Sequence, residues 1–134
     1  MTDMELMHAA LQARKMAYAP YSGFYVGAAL LTADGRVYTG CNIENASYSP
    51  TNCAERTAFF KAVSEGVRDF AAIAIVGGKK ETDGGFCAPC GVCRQVMAEF
   101  CQEDFRILLG TKEDFKAYSL EELFPLSFSP RDLK

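Results

Sequence analysis

Residues 70–77, FAAIAIVG, form an unbroken apolar run that includes two isoleucines and a valine, and no other stretch restricts the architecture as much. A strand with one face in water alternates polar and apolar residues. A run without alternation is how a strand reads when both of its faces are covered. FRILLG at 105–110 has the same character. Between the two, GVCRQVMAEFC places Val92, Val96, Met97 and Phe100 on one helical face.

The rest of the chain supplies the covering layers. FYVGAALLTA and RVYTGC flank Asp34-Gly35, which offers the positive φ a tight hairpin needs. CAERTAFFKAVSE, Cys53 to Glu65, reads as a helix with Thr51 or Asn52 as N-cap and Gly66 as its stop. Thr2 and Glu5 have capping-box spacing ahead of Leu6, Ala9, Ala10, Ala13, Met16 and Ala17, which predicts a first helix over about 3–18, ended by Pro20 and Gly23. Ser119 and Glu122 open a short helix before Pro125. A hairpin followed by two strand–helix alternations implies an α/β fold of three layers, α/β/α, around a mixed sheet of roughly five strands. We expect residues 1–134 to form a single domain.

Composition narrows the function. Hydrophobic residues make up 49% and charged residues 23%, which excludes a disordered chain. A net charge of −3 argues against gripping a nucleic-acid backbone. The start, MTDMELMHAALQ, lacks a secretion-signal layout, and no apolar run reaches membrane-spanning length. The expectation is a soluble cytoplasmic protein. In a reducing compartment its six cysteines point to metal, catalysis or burial rather than disulfides.

Cys90 and Cys93 form P-C-G-V-C at a helix start, a spacing shared by metal sites and redox dithiols. Cys53 also stands at a helix start after a polar loop, NIENASYSPTN. Two helix N-termini aimed at one point favour thiolates there, and three soft thiolates suit zinc or an iron–sulfur cluster. Cys87 could close a four-cysteine structural site; left out, it leaves the open position of a catalytic zinc. The 87-90-93 spacing starts like a ferredoxin run, but residue 97 is Met. Glu55, two residues after Cys53, favours catalysis, because a carboxylate beside a metal can move protons without ligating it. His8, the one histidine, lies far along the chain from the cluster, and Cys41 and Cys101 read as small buried hydrophobes.

C-A-E at 53–55 with P-C-x-x-C at 89–93 resembles the zinc-deaminase signature, with Cys53 where other branches use His. The likeness extends to M-A-Y-A-P-Y-S at 16–22, F-Y-V-G-A-A-L-L at 24–31, G-C-N-I-E-N-A-S-Y-S at 40–49, N-C-A-E-R-T-A at 52–58 and C-R-Q-V at 93–96. Together these motifs are similar to the short, homotetrameric cytidine deaminases. The resemblance implies one zinc per chain on Cys53, Cys90 and Cys93, with Glu55 shuttling the proton from water to the pyrimidine N3 and on to the departing amine. It further implies Phe24 against the base, the Ala54 backbone at the pyrimidine edge, Asn42 and Glu44 on the ribose hydroxyls, and Arg56 offsetting thiolate charge. Phe128, in ELFPLSF, would take the place of the aromatic that reaches a neighbouring subunit's site. The implied reaction is hydrolytic deamination of cytidine and 2′-deoxycytidine in pyrimidine salvage; a modified cytosine nucleoside or a nucleoside antibiotic is the alternative substrate. Two features depart from the pattern: Cys87 itself, and the long glycine-rich loop GGKKETDGGF ahead of it.

Overall fold

A computed structural model describes residues 1–134. Its strands are β1 (Phe24–Thr32), β2 (Val37–Cys41), β3 (Phe70–Lys79), β4 (Arg106–Gly110) and β5 (Phe115–Ser119), in the sheet order β2-β1-β3-β4-β5. The run 70–77 therefore occupies the central strand. β3 pairs parallel with β4 and antiparallel with β1, and the pairs β1–β2 and β4–β5 are antiparallel. This is the mixed five-stranded sheet expected. The helices are α1 (Asp3–Arg14), α2 (Ala54–Ser64), α3 (Gly91–Phe100) and α4 (Leu120–Leu123), followed by a 3-10 turn at Pro130–Leu133.

The alternation along β3 sorts the core into two sides. Ile73 and Ile75 pack with Phe59 of α2 and Met97 of α3, while Ala72, Ala74 and Val76 meet Leu6, Met7 and Ala10 of α1. Each isoleucine so buried contributes about 1.5–3 kcal/mol. Small residues on the α1 side let that helix lie close to the sheet. A side chain on Gly27 would come within 2.0 Å of the Ala10 carbonyl, and one on Gly40 within 2.4 Å of the Ala54 carbonyl. These two glycines set α1 on β1 and the start of α2 on β2.

Two local expectations are corrected, and one element was not located. Helix α1 ends at Arg14 rather than residue 18, because Tyr18 leaves the helix to pair with the next loop: its N–H donates to Asn42 O at 3.0 Å and its carbonyl accepts from Glu44 N–H at 2.9 Å. Helix α2 begins at Ala54, with Cys53 itself as N-cap in place of Thr51 or Asn52. Strand β5 was not separately legible, since FKAYS is an edge strand with side chains largely outside the core. No helix is long and apolar enough to cross a membrane.

Candidate active site

Cys53 and Cys90 occupy equivalent places: each is the extended N-cap residue of its helix, α2 or α3. Cys93 lies one turn into α3, its N–H directed at Cys90 Sγ at 3.5 Å. The two helix starts bring all three sulfurs within 4.8 Å of one another, with Cys53 and Cys90 3.7 Å apart. Sulfurs on a tetrahedral zinc at about 2.3 Å would stand about 3.8 Å apart, so the donor set fits that ion. The thiols lie where unpaired helix N–H groups favour negative charge. Cys53 is held below its ordinary pKa by a hydrogen bond from the Cys93 thiol and by the Arg56 guanidinium.

Arg56 donates from Nη2 to Cys53 Sγ at 3.2 Å, and its Nε is buried without a partner. Glu55, at the second position of α2, is only 4% exposed. Burial pushes its carboxyl up to about 7, with the nearby Cys53 charge acting in the same direction. A carboxyl poised near neutrality can both take and give a proton.

Cys87 is outside the three-sulfur group. Its Sγ lies 2.8 Å from where a side chain on Gly77 would begin, and the Phe24 ring approaches the same point at 3.1 Å. Cys87 is packed against the core shared by α2 and α3, and burial pushes its thiol up to about 12.

Glu44, Phe24 and Asn42 are linked in one hydrogen-bonded chain. Glu44 Oε1 accepts from the N–H groups of Tyr21 at 2.9 Å and Ser22 at 3.1 Å, and Glu44 Oε2 accepts from the Ser22 hydroxyl. Ser22 Oγ accepts in turn from Phe24 N–H at 3.1 Å. Asn42 completes the chain, its Nδ2 donating to Phe24 O at 2.8 Å and its Oδ1 accepting from Val26 N–H at 2.9 Å. Ile43 is zipped to Asn52 by a pair of backbone bonds, which holds this group one residue from Cys53. Ala54 is fully buried at the first position of α2, and the Phe24 side chain is 41% exposed.

Phe128 is brought near only by its backbone: Gln95 Nε2 donates to its carbonyl at 2.8 Å, while its side chain is 59% exposed. His8 is exposed on α1, outside the sulfur cluster. Sequence reasoning missed Arg94, whose Nε donates to Pro89 O at 2.7 Å and whose Nη1 donates to Leu123 O, bracing the turn that carries Cys90. Its position directly after Cys93 was the available signal.

A three-layer mixed sheet with three thiols at converging helix starts and a buried glutamate beside them defines a zinc-type deaminase architecture. Residues 1–109 match the cytidine and deoxycytidylate deaminase zinc-binding region, and the chain belongs to that family. It is 55% identical over 123 residues to a cytidine deaminase of Sporosarcina psychrophila, covering 91% of this chain and 88% of that one. With a cytidine deaminase of Halalkalibacterium halodurans it shares 54% identity over 129 residues, 96% of this chain and 95% of the other. The crystal structure of cytidine deaminase from Burkholderia pseudomallei superimposes with a TM-score of 0.87 at 50% identity, covering 96% of this chain and all of that one.

Proposed function

We propose that the protein is a cytidine deaminase that converts cytidine and 2′-deoxycytidine to the uridines and releases ammonia. The observation that carries this reading is the buried Glu55 carboxyl beside three convergent thiols. Cys53, Cys90 and Cys93 would hold one zinc per chain, which when bound would supply Lewis acidity at the reacting water. Glu55 takes one proton from the attacking water and passes it to the pyrimidine N3 as the water oxygen bonds to C4. It then takes the second proton from the added hydroxyl and delivers it to the exocyclic amine, so that the C4–N bond breaks and ammonia leaves. Proton, oxygen and leaving group balance as substrate plus water giving uridine plus ammonia. Arg56 offsets the charge of three thiolates, which alone would outweigh a divalent ion.

The substrate is a neutral nucleoside. Asn42 retains one N–H and one lone pair beyond its backbone bonds, and Glu44 retains acceptor capacity, which suits ribose hydroxyls rather than a phosphate. Phe24 packs on the base and the Ala54 backbone faces its edge. Phe128 reaches a neighbouring subunit of a homotetramer, a role its 59% exposure supports. The protein works in the cytoplasm, in pyrimidine salvage, with neither nucleic acid nor membrane as partner. The test is ultraviolet monitoring of cytidine with the zinc-loaded protein, ammonia being measured in the same samples. Equal yields of uridine and ammonia are expected; no conversion by folded, zinc-bound protein overturns the assignment.

A further inference from the structure

The long glycine-rich loop after β3 has a partner on the far side of the sheet. Arg14, the last residue of α1, is 8% exposed and pairs with no carboxylate. Its guanidinium is spent on backbone carbonyls. Nε donates to Tyr25 O at 2.8 Å, Nη1 to Thr82 O at 2.9 Å, and Nη2 to both Gly78 O, at 2.9 Å, and Lys79 O. The loop is thereby tied to β1 at the residue after Phe24. It is closed at its base by Gly77 and Gly85, which exchange two backbone bonds of 3.2 and 2.8 Å. Five residues further on stands Cys90.

We propose that Arg14 is a positioning residue for the cysteine-bearing segment 86–93: by gripping the 78–82 carbonyls and Tyr25 together it sets where Cys90 and Cys93 meet Cys53. The argument rests on the chemistry of the group. A buried cation without a carboxylate is costly unless its donors are met, and here four N–H bonds meet them in the planar geometry only a guanidinium offers. A lysine has three donors on one nitrogen and cannot span the same carbonyls. Nothing in this arrangement is needed to bury α1, which Leu6, Met7 and Ala10 already do. The segment between the Gly77–Gly85 bond pair and Cys90 is short and Cys87 within it packs on Gly77, so a shift that displaces this base is carried to the cysteines. Arg14 hydrogen-bonds only carbonyls, so its hold reaches the cysteines through the chain from Gly85 to Cys90, a support further out than a metal ligand's own hydrogen-bond partner.

The inference rests on the zinc reading above, and the test separates the two. Zinc-loaded protein is challenged with a chromogenic chelator, and amide exchange is followed in parallel for Arg14→Met, Arg14→Lys and Gly84→Ala. The last disturbs the same contact from the loop, since a side chain at Gly84, where φ is +76°, would meet Val76 Cγ1 at 2.6 Å and Arg14 Nε at 3.4 Å. For Arg14→Met and Gly84→Ala, zinc release is expected to quicken by about three- to tenfold, below the range for a metal ligand's own hydrogen-bond partner. Exchange at 77–85 should rise while the β4 amides Ile107–Leu109 keep their protection; Arg14→Lys should fall between. Zinc release at the wild-type rate in folded variants, even with lowered Tm, overturns the role and leaves Arg14 a local prop. If Arg14→Met does not fold, the other two variants decide by the same criterion. Wild-type protein that holds no zinc overturns the metal reading and this inference with it.

Discussion

Arg56 Nη2 stands 3.2 Å from Cys53 Sγ, so a cation that follows the buried glutamate in sequence turns back onto the sulfur that precedes it. Its Nε, buried without a partner, leaves a further donor unspent in the same place. Burial works against the Arg56 cation, yet hydrogen bonds to Cys53 and Cys93 outweigh it and raise its pKa. Arg56→Gln removes this positive charge and leaves a shorter, neutral hydrogen-bond donor. With three thiolates less well balanced, kcat for cytidine is expected to fall by about ten- to a hundredfold while zinc content stays near one per chain. Turnover and metal content measured on the same preparation check this; unchanged kcat would separate Arg56 from the thiolate charge.

Glu55→Gln preserves the volume of a buried residue and removes its ability to carry a proton. A loss of about 10²–10⁴-fold in kcat is expected, the range for a positioned acid–base group. Zinc binding should survive, because the three sulfurs that define the candidate metal site do not include this side chain. The pair of readouts matters. Lost turnover with lost zinc would recast Glu55 as a support for the cluster rather than a proton shuttle.

Cys87 bears on whether the site is open or closed. It packs over Gly77 and lies outside the three-sulfur group, so Cys87→Ser is expected to leave zinc stoichiometry unchanged. Its Tm should drop modestly, by roughly 2–4 °C, for a hydroxyl placed in an apolar contact. Metal analysis after dialysis distinguishes the outcomes: a variant that loses zinc would make Cys87 a fourth ligand and the site structural.

The sequence was most legible where side chains report their own surroundings. β3 declared itself because two covered faces leave no place for polar residues, and Cys53, Cys90 and Cys93 because helix starts and soft ligands leave a spacing pattern. It was least legible where backbone atoms do the bonding. The end of α1 depends on Tyr18 pairing with Asn42 and Glu44, and Arg14 binds carbonyls as far as 68 residues away. Carbonyls are the same in every residue, so their partners leave no trace in the sequence. An arginine at a helix end is also what the helix dipole alone would favour, which hides any further role. β5 escaped for a third reason: an edge strand buries too little for its alternation to show.

Asn42 is bonded into the fold by the same side chain that is proposed to meet the ribose. Its amide clamps Val26 N–H and Phe24 O, and Val26 is buried, so Asn42→Ala strands the Val26 N–H, which water reaches poorly, while the Phe24 carbonyl is left to solvent. A destabilisation of about 1–3 kcal/mol follows, a Tm lower by roughly 5 °C. The free N–H and lone pair lost with it should raise KM for cytidine by about tenfold, the worth of one hydrogen bond. Because Phe24 is released as well, the rise in KM should exceed any change in kcat. Thermal melts and steady-state kinetics on the same variant check both effects. A lowered Tm with unchanged KM would assign Asn42 to the fold alone and move the ribose contact elsewhere on the loop.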